Sequence, residues 1–471
     1  MKALIPLLLV AALSGCAAIK PGEPGVAQID AAQLGLQDSG IAWPAEHWWT
    51  RYGDTQLNSL IEQALAGSPS MDAAKARLDM ANAAIRGARA VQLPSADASF
   101  NTTRQRFSGN YIYPPPYGGS MLTDANLRLD VGLDLDLWGR NRARFAAAVS
   151  SREAAQADLH MARNTLVSAV VQSYYNLQGA LAQQAVLGDI VGQQQNVLKI
   201  TRQRANAGLD TQVEVKQADS AVSSARVQLS QAATNAKLLR NQLAALLGEG
   251  PARGAEIRQV ALTSMPADVP GSLPLELLSR RPDIIAARER AQAAASQVSA
   301  AKAEFFPNVN LNAFAGFMSL GLDNLLDGAS KTYGVGPAIS LPIFHGGALN
   351  AQLDTRRAER NLAIADYNQT LLGAVREVAD ATASIQALQQ QAQDQADSLK
   401  AITSAYQIAV DRYKSGLGNF IQVLLAQNEV QKQAILDTDL RARAYALDAQ
   451  LATALGGGYI HTKNTEPEKH S

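Results

Sequence analysis

The sequence predicts a mainly α-helical protein that carries a membrane β-barrel portion and contains an internal tandem repeat. Three observations predict it. Residues 144–204 and 349–412 run without proline and with few glycines, as long helices do. Stretches of about ten residues with alternating apolar and polar side chains precede each of them. Matched residues recur a little more than 200 positions apart, in the same order of elements.

The repeat is read from pairs. Leu60, Leu65, Pro69 and Pro94 recur as Leu273, Leu278, Pro282 and Pro307, each 213 residues on. Trp138 corresponds to Phe344, 206 on, and Arg204, Gly208, Leu209, Leu247 and Gly248 to Arg412, Gly416, Leu417, Leu455 and Gly456, all 208 on. The change in spacing falls between the strands of each copy, where residues 105–125 form a longer loop than 318–331. This reading divides the chain into residues 1–15, a lipoprotein signal peptide; 16–55, a lipidated N-terminal segment; 56–250, the first copy; 251–271, a linker rich in Pro and Gly; 272–458, the second copy; and 459–471, a polar tail. Each copy reads helix, strand, strand, long helix, tight turn, helix.

The first element is an address. Met1 and Lys2 lead into a short apolar run that ends at Leu13, followed by Ser14-Gly15-Cys16. That order of charge, apolar run and small residues marks a secretory signal, too short to span a bilayer as a helix. The Leu-Ser-Gly-Cys ending resembles the bacterial lipobox. It implies cleavage before Cys16, acylation of that cysteine, and, with Ala rather than Asp at position 17, placement in the outer membrane. Several acyl chains, at about 0.8 kcal/mol per buried methylene, make a firm anchor.

The strands follow. In residues 126–137, Leu127, Leu129, Val131, Leu133, Leu135 and Leu137 alternate with Asn126, Arg128, Asp130, Gly132, Asp134 and Asp136. Residues 307–317 and 333–343 alternate more loosely, and 95–103 most weakly. These lengths suit tilted transmembrane strands, yet four strands are too few to close a barrel with a lumen. Three copies would supply twelve. Asp130, Asp134 and Asp136 then read as water-facing carboxylates on the inner face of the barrel.

The long helices, about 90 Å each at 1.5 Å per residue, follow the strands. In the second, Leu371, Val378, Ile385, Ala392, Leu399, Tyr406 and Tyr413 stand seven apart, which predicts a coiled-coil seam. The first carries a comparable stripe through Leu166, Val170, Leu177, Leu187 and Leu198. Each long helix ends in a glycine turn, Ala207-Gly208-Leu209-Asp210-Thr211 and Ser415-Gly416-Leu417-Gly418-Asn419, before the next helix begins.

Composition narrows the function. The 42 basic residues balance the 42 acidic ones, so the chain lacks the basic surplus of a nucleic-acid binder. One cysteine leaves no intramolecular disulfide and no multi-thiolate metal site. The five histidines show no metal-ligand spacing, and there is no phosphate loop or nucleophile elbow. No cofactor, metal or catalytic residue is expected. His345-Gly346-Gly347 reads as a structural turn.

With these elements in order, the chain resembles the TolC-like outer-membrane efflux proteins, in their NodT-like lipoprotein branch. The resemblance runs from Trp48-Trp49-Thr50-Arg51-Tyr52-Gly53-Asp54, through Leu135-Asp136-Leu137-Trp138-Gly139-Arg140, to Ala454-Leu455-Gly456-Gly457-Gly458. It implies a homotrimer whose twelve-stranded barrel crosses the outer membrane lipid and continues as a helical barrel in the periplasm. Such a trimer is a passive exit duct for small toxic molecules, joined by a periplasmic adaptor to an inner-membrane pump. The matched tip residues Arg204, Gly208, Leu209, Arg412, Gly416 and Leu417 are implied to meet the adaptor. Ile421, Gln422 and Leu425, with Glu214 in the first copy, are implied to form the periplasmic gate. Relatives often carry Asp at one or more positions of that ring, where this chain has Gln422 and Leu425, so an apolar gate at Ile421 and Leu425 is expected. Gly418 stands where some relatives place the basic partner of Glu214. The alternatives are a type I protein-secretion duct, which the lipobox disfavours, and a coiled-coil surface lipoprotein, which would lack barrel-length strands.

Overall fold

A computed structural model describes residues 25–30, 34–35, 43–262 and 277–460. The signal peptide, Cys16, Leu273, the later part of the linker and the tail beyond residue 460 lie outside the described residues. A short 3-10 helix, Trp48–Tyr52, precedes α1 (Thr55–Gly67), α2 (Pro69–Ala90), β1 (Ser95–Arg106) and β2 (Met121–Asp134). Then come α3 (Arg140–Asn206), α4 (Gln212–Leu246), the short α5 (Pro251–Ala255) and α6 (Leu277–Arg280), and α7 (Pro282–Ala303). The second copy ends with β3 (Asn308–Leu320), β4 (Lys331–Ser340), α8 (Ala348–Lys414) and α9 (Phe420–Ala454). Among the described residues no helix is long and apolar enough to cross a membrane.

The two long helices are 67 residues each, with matched bounds. The single helix expected at the start of the first copy is instead two, α1 and α2. Pro69 offers no N–H and disfavours helical backbone before it, so Ser68 turns extended, with ψ 126°. The expected strand ends also move. β2 begins five residues earlier and stops at Asp134, and β4 stops at Ser340, two residues before Pro342. β1, the weakest pattern, is a full 12 residues.

The chain forms two compact units, each drawing on both copies. One takes the residues up to Gln28 with Arg77–Gln156 and Ala286–Asn368; the other takes Ile29–Ala76, Ala157–Ile285 and Gln369–Ser471.

The first unit contains one antiparallel sheet in the order β1-β2-β3-β4. Its register places Phe100 opposite Leu127, Leu127 opposite Phe317, Leu133 opposite Leu311, and Val335 opposite Ala313. Paired residues share a face, so the apolar phases of the strands combine into one continuous apolar face. The other face carries Asn101, Asn126, Arg128, Asp130, Asn310 and Asn312, with the Arg128 guanidinium 4.7 Å over the Phe314 ring. A soluble sheet would cover its apolar face with helices. Here Tyr333 is 82% exposed and Val335 76%.

The second unit is helical, with several apolar cores. The largest gathers Trp48, Trp49, Leu57, Leu60, Val170, Tyr174, Leu177, Leu243 and Ile257. The Trp-Trp-Thr-Arg-Tyr-Gly-Asp stretch serves this core. Both tryptophans are buried, Gly53 closes the 3-10 helix at φ 67°, and Asp54 accepts the Leu57 N–H at the start of α1. Arg51 and Tyr52 both donate to the buried Asp448 of α9. Burial beside that carboxylate pushes the Tyr52 phenol well above its ordinary range. The linker is clipped in place by amide side chains: Gln178 donates to the Arg258 carbonyl at 3.0 Å and accepts the Val260 N–H at 2.8 Å.

The heptad seam of α8 holds in part. Leu371, Val378 and Ile385 are buried with Ala374, Ala381 and Leu388 between them, while Ala392 is exposed. Gln395 then takes the next inward position and donates to the Gln433 carbonyl at 2.8 Å.

Candidate functional site

The two turns that end the long helices come together in the second unit. Val197, Leu198, Ala218 and Val222 of the first copy share a core with Val410, Tyr413, Phe420 and Val423 of the second. Both turns are Schellman closures. Leu209 N–H donates to the Arg204 carbonyl at 2.9 Å, and Leu417 N–H to the Arg412 carbonyl at 2.8 Å. Gly208 and Gly416 adopt φ of 73° and 75°, which glycine accepts without a Cβ clash. The following helices have repeat-matched caps, Thr211 and Asn419. Thr211 accepts the Val213 N–H, and Asn419 accepts the Gln422 N–H at 3.0 Å.

Between the turns lies a polar network that sequence reasoning missed. Arg204 donates through Nε to Asp210 at 2.9 Å and through Nη1 to the Tyr413 carbonyl at 2.9 Å. Its guanidinium stands 4.6 Å over the Tyr413 ring. The Tyr413 hydroxyl donates to the same Asp210 carboxylate. That hydroxyl is also 3.1 Å from Oγ1 of buried Thr201, whose own proton goes to the Val197 carbonyl. Burial, reinforced by Asp210, pushes the Tyr413 phenol up to about 12. The network ties the first copy's turn to the second copy's long helix.

This changes the reading of two expected residues. Arg204, expected to face a partner, has a side chain only 14% exposed and engaged within the chain. Glu214 belongs to its own helix. It accepts the Thr211 N–H at 2.9 Å in a reciprocal capping box. Those hydrogen bonds hold its carboxyl below the ordinary value, the Thr211 hydroxyl contributing most. The other tip residues present themselves outward: Leu209 is 66% exposed and Leu417 72%, and Arg412 is exposed with one bond to the Leu417 carbonyl at 3.3 Å. Ile421, Gln422 and Leu425 lie on the exposed side of α9, whose opposite side buries Phe420 and Val423.

One of the three strand acids is corrected. Asp136 is not in β2. It sits in the turn after it at φ 44°, and its carboxylate accepts the Asn141 and Arg142 N–H groups, both at 2.9 Å, capping α3. Asp134 accepts the Asp136 N–H, Arg140 and Asn141. Both are structural groups of the strand-to-helix turn. Asp134 is still the last residue of β2, opposite Asn310 on the polar face, and Asp130 on the same face pairs with Arg128. The His345 stretch is a turn, with Gly346 and Gly347 at φ 56° and 87° and the His345 carbonyl accepting the Ala348 N–H. Among the described residues no three His, Cys, Asp or Glu are grouped as metal ligands.

The sequence profile of the family described as outer membrane efflux protein matches residues 60–249 and again 273–457. Multidrug resistance outer membrane protein MdtP of Escherichia coli O6:H1 is 33% identical over 463 residues, 95% of this chain and 94% of its own. MdtQ of the same bacterium is 33% identical over 476 residues, 97% and 98% of the two chains. The crystal structure of the outer membrane protein VceC from Vibrio cholerae superposes with a TM-score of 0.83 at 36% identity, covering 88% of this chain and all of that one. The Campylobacter jejuni channel CmeC has a TM-score of 0.85 at 23% identity over 95% of each chain, a likeness of fold.

Proposed function

The chain belongs to the outer membrane efflux protein family, and from that premise we propose that it is the exit duct of a tripartite efflux system. It resides in the outer membrane and conducts small toxic molecules outward, as the names of its multidrug-resistance relatives imply. One observation carries the channel reading: a four-stranded sheet with one continuous apolar face left exposed and one polar face. Such a sheet suits lipid on one side and water on the other, and it needs further strands to close. Three copies supply twelve. The acylated Cys16 is the proposed anchor. The exposed Leu209 and Leu417 at the glycine turns are the proposed contacts for a periplasmic adaptor, which in turn meets an inner-membrane pump. Arg412, Gly208 and Gly416 shape that surface, and Arg204 holds it together from within.

The channel reading is tested by outer-membrane fractionation and planar-bilayer recording. Heat-sensitive trimers with ion conductance are the expected result; a monomer without conductance contradicts it. The proposed gate is apolar, at Ile421 and Leu425 with Gln422 beside them. An apolar constriction closes by excluding water. Replacing Ile421 and Leu425 together by Ser is expected to raise passive uptake of bulky antibiotics several-fold in cells lacking the pump. Unchanged uptake would remove these residues from the gate.

A further inference from the structure

Beside the strand-to-helix turn, the first unit contains a cavity of about 310 Å³. One wall is aromatic. Trp138 stacks on Phe306 with ring centroids 4.8 Å apart and planes 20° apart, and its indole N–H donates to the Pro307 carbonyl at 2.8 Å. Two anchors fix the ring, yet Trp138 and Phe306 are both exposed. Leu137 beside them is exposed too, and Val309, from the apolar face of the sheet, also lines the cavity. The lining is also charged, with Asp136, Glu304 and Arg140 in it. Arg144 donates to Glu304 at 2.6 Å, and the well-exposed Arg142 stands 3.4 Å from the Asp136 carboxylate. Each of the two lining carboxylates is thus paired with a guanidinium just outside the lining, in a cavity that also carries an aromatic wall. The aromatic wall belongs to the ends of β2 and β3, the central pair of the sheet. Closing a barrel through the free edges of β1 and β4 leaves it in place.

We infer that this cavity holds the headgroup of a zwitterionic phospholipid bearing a primary ammonium. The inference rests on the membrane reading above. The acyl chains continue along the apolar face of the sheet past Leu137 and Val309, covering the Trp138–Phe306 wall. The ammonium donates to Asp136 and Glu304, and the phosphate accepts from Arg142. The charge pattern selects the class. An anionic lipid has no cation to offer the two carboxylates. A quaternary ammonium carries charge but no N–H to donate.

The test uses the full-length protein reconstituted in bilayers of phosphatidylethanolamine, phosphatidylcholine and phosphatidylglycerol in equal parts. Retained lipid is then counted by native mass spectrometry after mild detergent extraction. Phosphatidylethanolamine is expected to be enriched about tenfold over the other two, the worth of one charge-assisted hydrogen bond. Glu304→Gln and Arg142→Gln, which preserve much of the side-chain size, are each expected to abolish the enrichment. Equal retention of all three lipids overturns the inference, as does enrichment unaffected by either variant. Displacement by soluble phosphoethanolamine at millimolar concentration also overturns it, because that would assign the site to a free headgroup. If the channel conducts normally without lipid preference, only this inference falls. If the protein does not insert, the membrane reading falls first.

Discussion

Asp210→Ala is expected to make the closed channel leak. The carboxylate is the one acceptor shared by Arg204 and the Tyr413 hydroxyl, so its removal leaves Arg204 only the Tyr413 carbonyl and the hydroxyl only Thr201. A hydrogen bond to a charged group contributes about 1.5–3 kcal/mol, and water at the turn brings the sum toward the lower end of that range. A loss of about 2 kcal/mol shifts a closed-to-open equilibrium roughly thirtyfold. The measurement is single-channel conductance in planar bilayers, paired with antibiotic uptake in cells without the pump. Tyr413→Phe, which keeps the ring under the Arg204 guanidinium and loses only the hydroxyl, is expected to give a smaller leak. Closed-state conductance equal to wild type in Asp210→Ala would show that the network stabilises the turn without holding the channel shut. The alkaline limit follows from the phenol. Its value is raised from 10.0 in the unfolded chain to about 12 in the fold, so its contribution is whole below pH 10 and is lost as pH rises through about 12.

The same network shows where sequence reading stops. The long helices and glycine turns are legible because each is a local pattern: absence of proline, glycine at a left-handed position, a cap residue ahead of an apolar run. The faces of the sheet are legible because a period of two survives any choice of partner strand. The repeat makes matched residues conspicuous, Arg204 and Arg412 among them. The network depends on the positions where the copies differ. Tyr413 stands where the first copy has Ala205, Asp210 where the second has Gly418, and Thr201 where the second has Ala409. Gly418 is itself constrained, since a Cβ there would lie 3.2 Å from Arg412 Cβ and 3.3 Å from the Tyr413 nitrogen. Mismatches between the copies near the glycine turns are the signal that points to all three residues. Asp136 escapes for a different reason. Alternation continues in the letters through Leu137, but the backbone turns left-handed at Asp136, where a short acidic side chain serves as a helix cap. Period alone carries no signal for where a strand ends.

The second large effect concerns a buried cation with no counterpart in the sequence patterns. Arg281 lies between α6 and α7 with its side chain 4% exposed. It donates to Asp283 through Nη2 at 2.7 Å and Nε at 3.1 Å, and to the Ala454 carbonyl at 2.9 Å, and it pairs with Glu377 at 2.8 Å. These bonds join the start of α7 to the end of α9 and to α8. At that depth water is a poor substitute for a lost partner. Asp283→Ala is therefore expected to destabilise the folded protein by about 3 kcal/mol or more, the usual penalty for stranding a buried charge. Glu377→Ala should matter less, about 1 kcal/mol or below, since that carboxylate is 47% exposed and already screened. Arg281→Met tests the asymmetry. It removes the charge and keeps much of the volume, and Asp283 and Glu377 can turn to water, so its effect should fall below that of Asp283→Ala. Thermal or denaturant unfolding of the three variants in the same detergent gives the ranking. If Arg281→Met proves the most damaging, the bonds that Arg281 makes to the helix ends outweigh the burial of its charge. If Asp283→Ala does, desolvation of the cation outweighs those bonds, and the three helices meet around a charge that is tolerated only because its partners are in place.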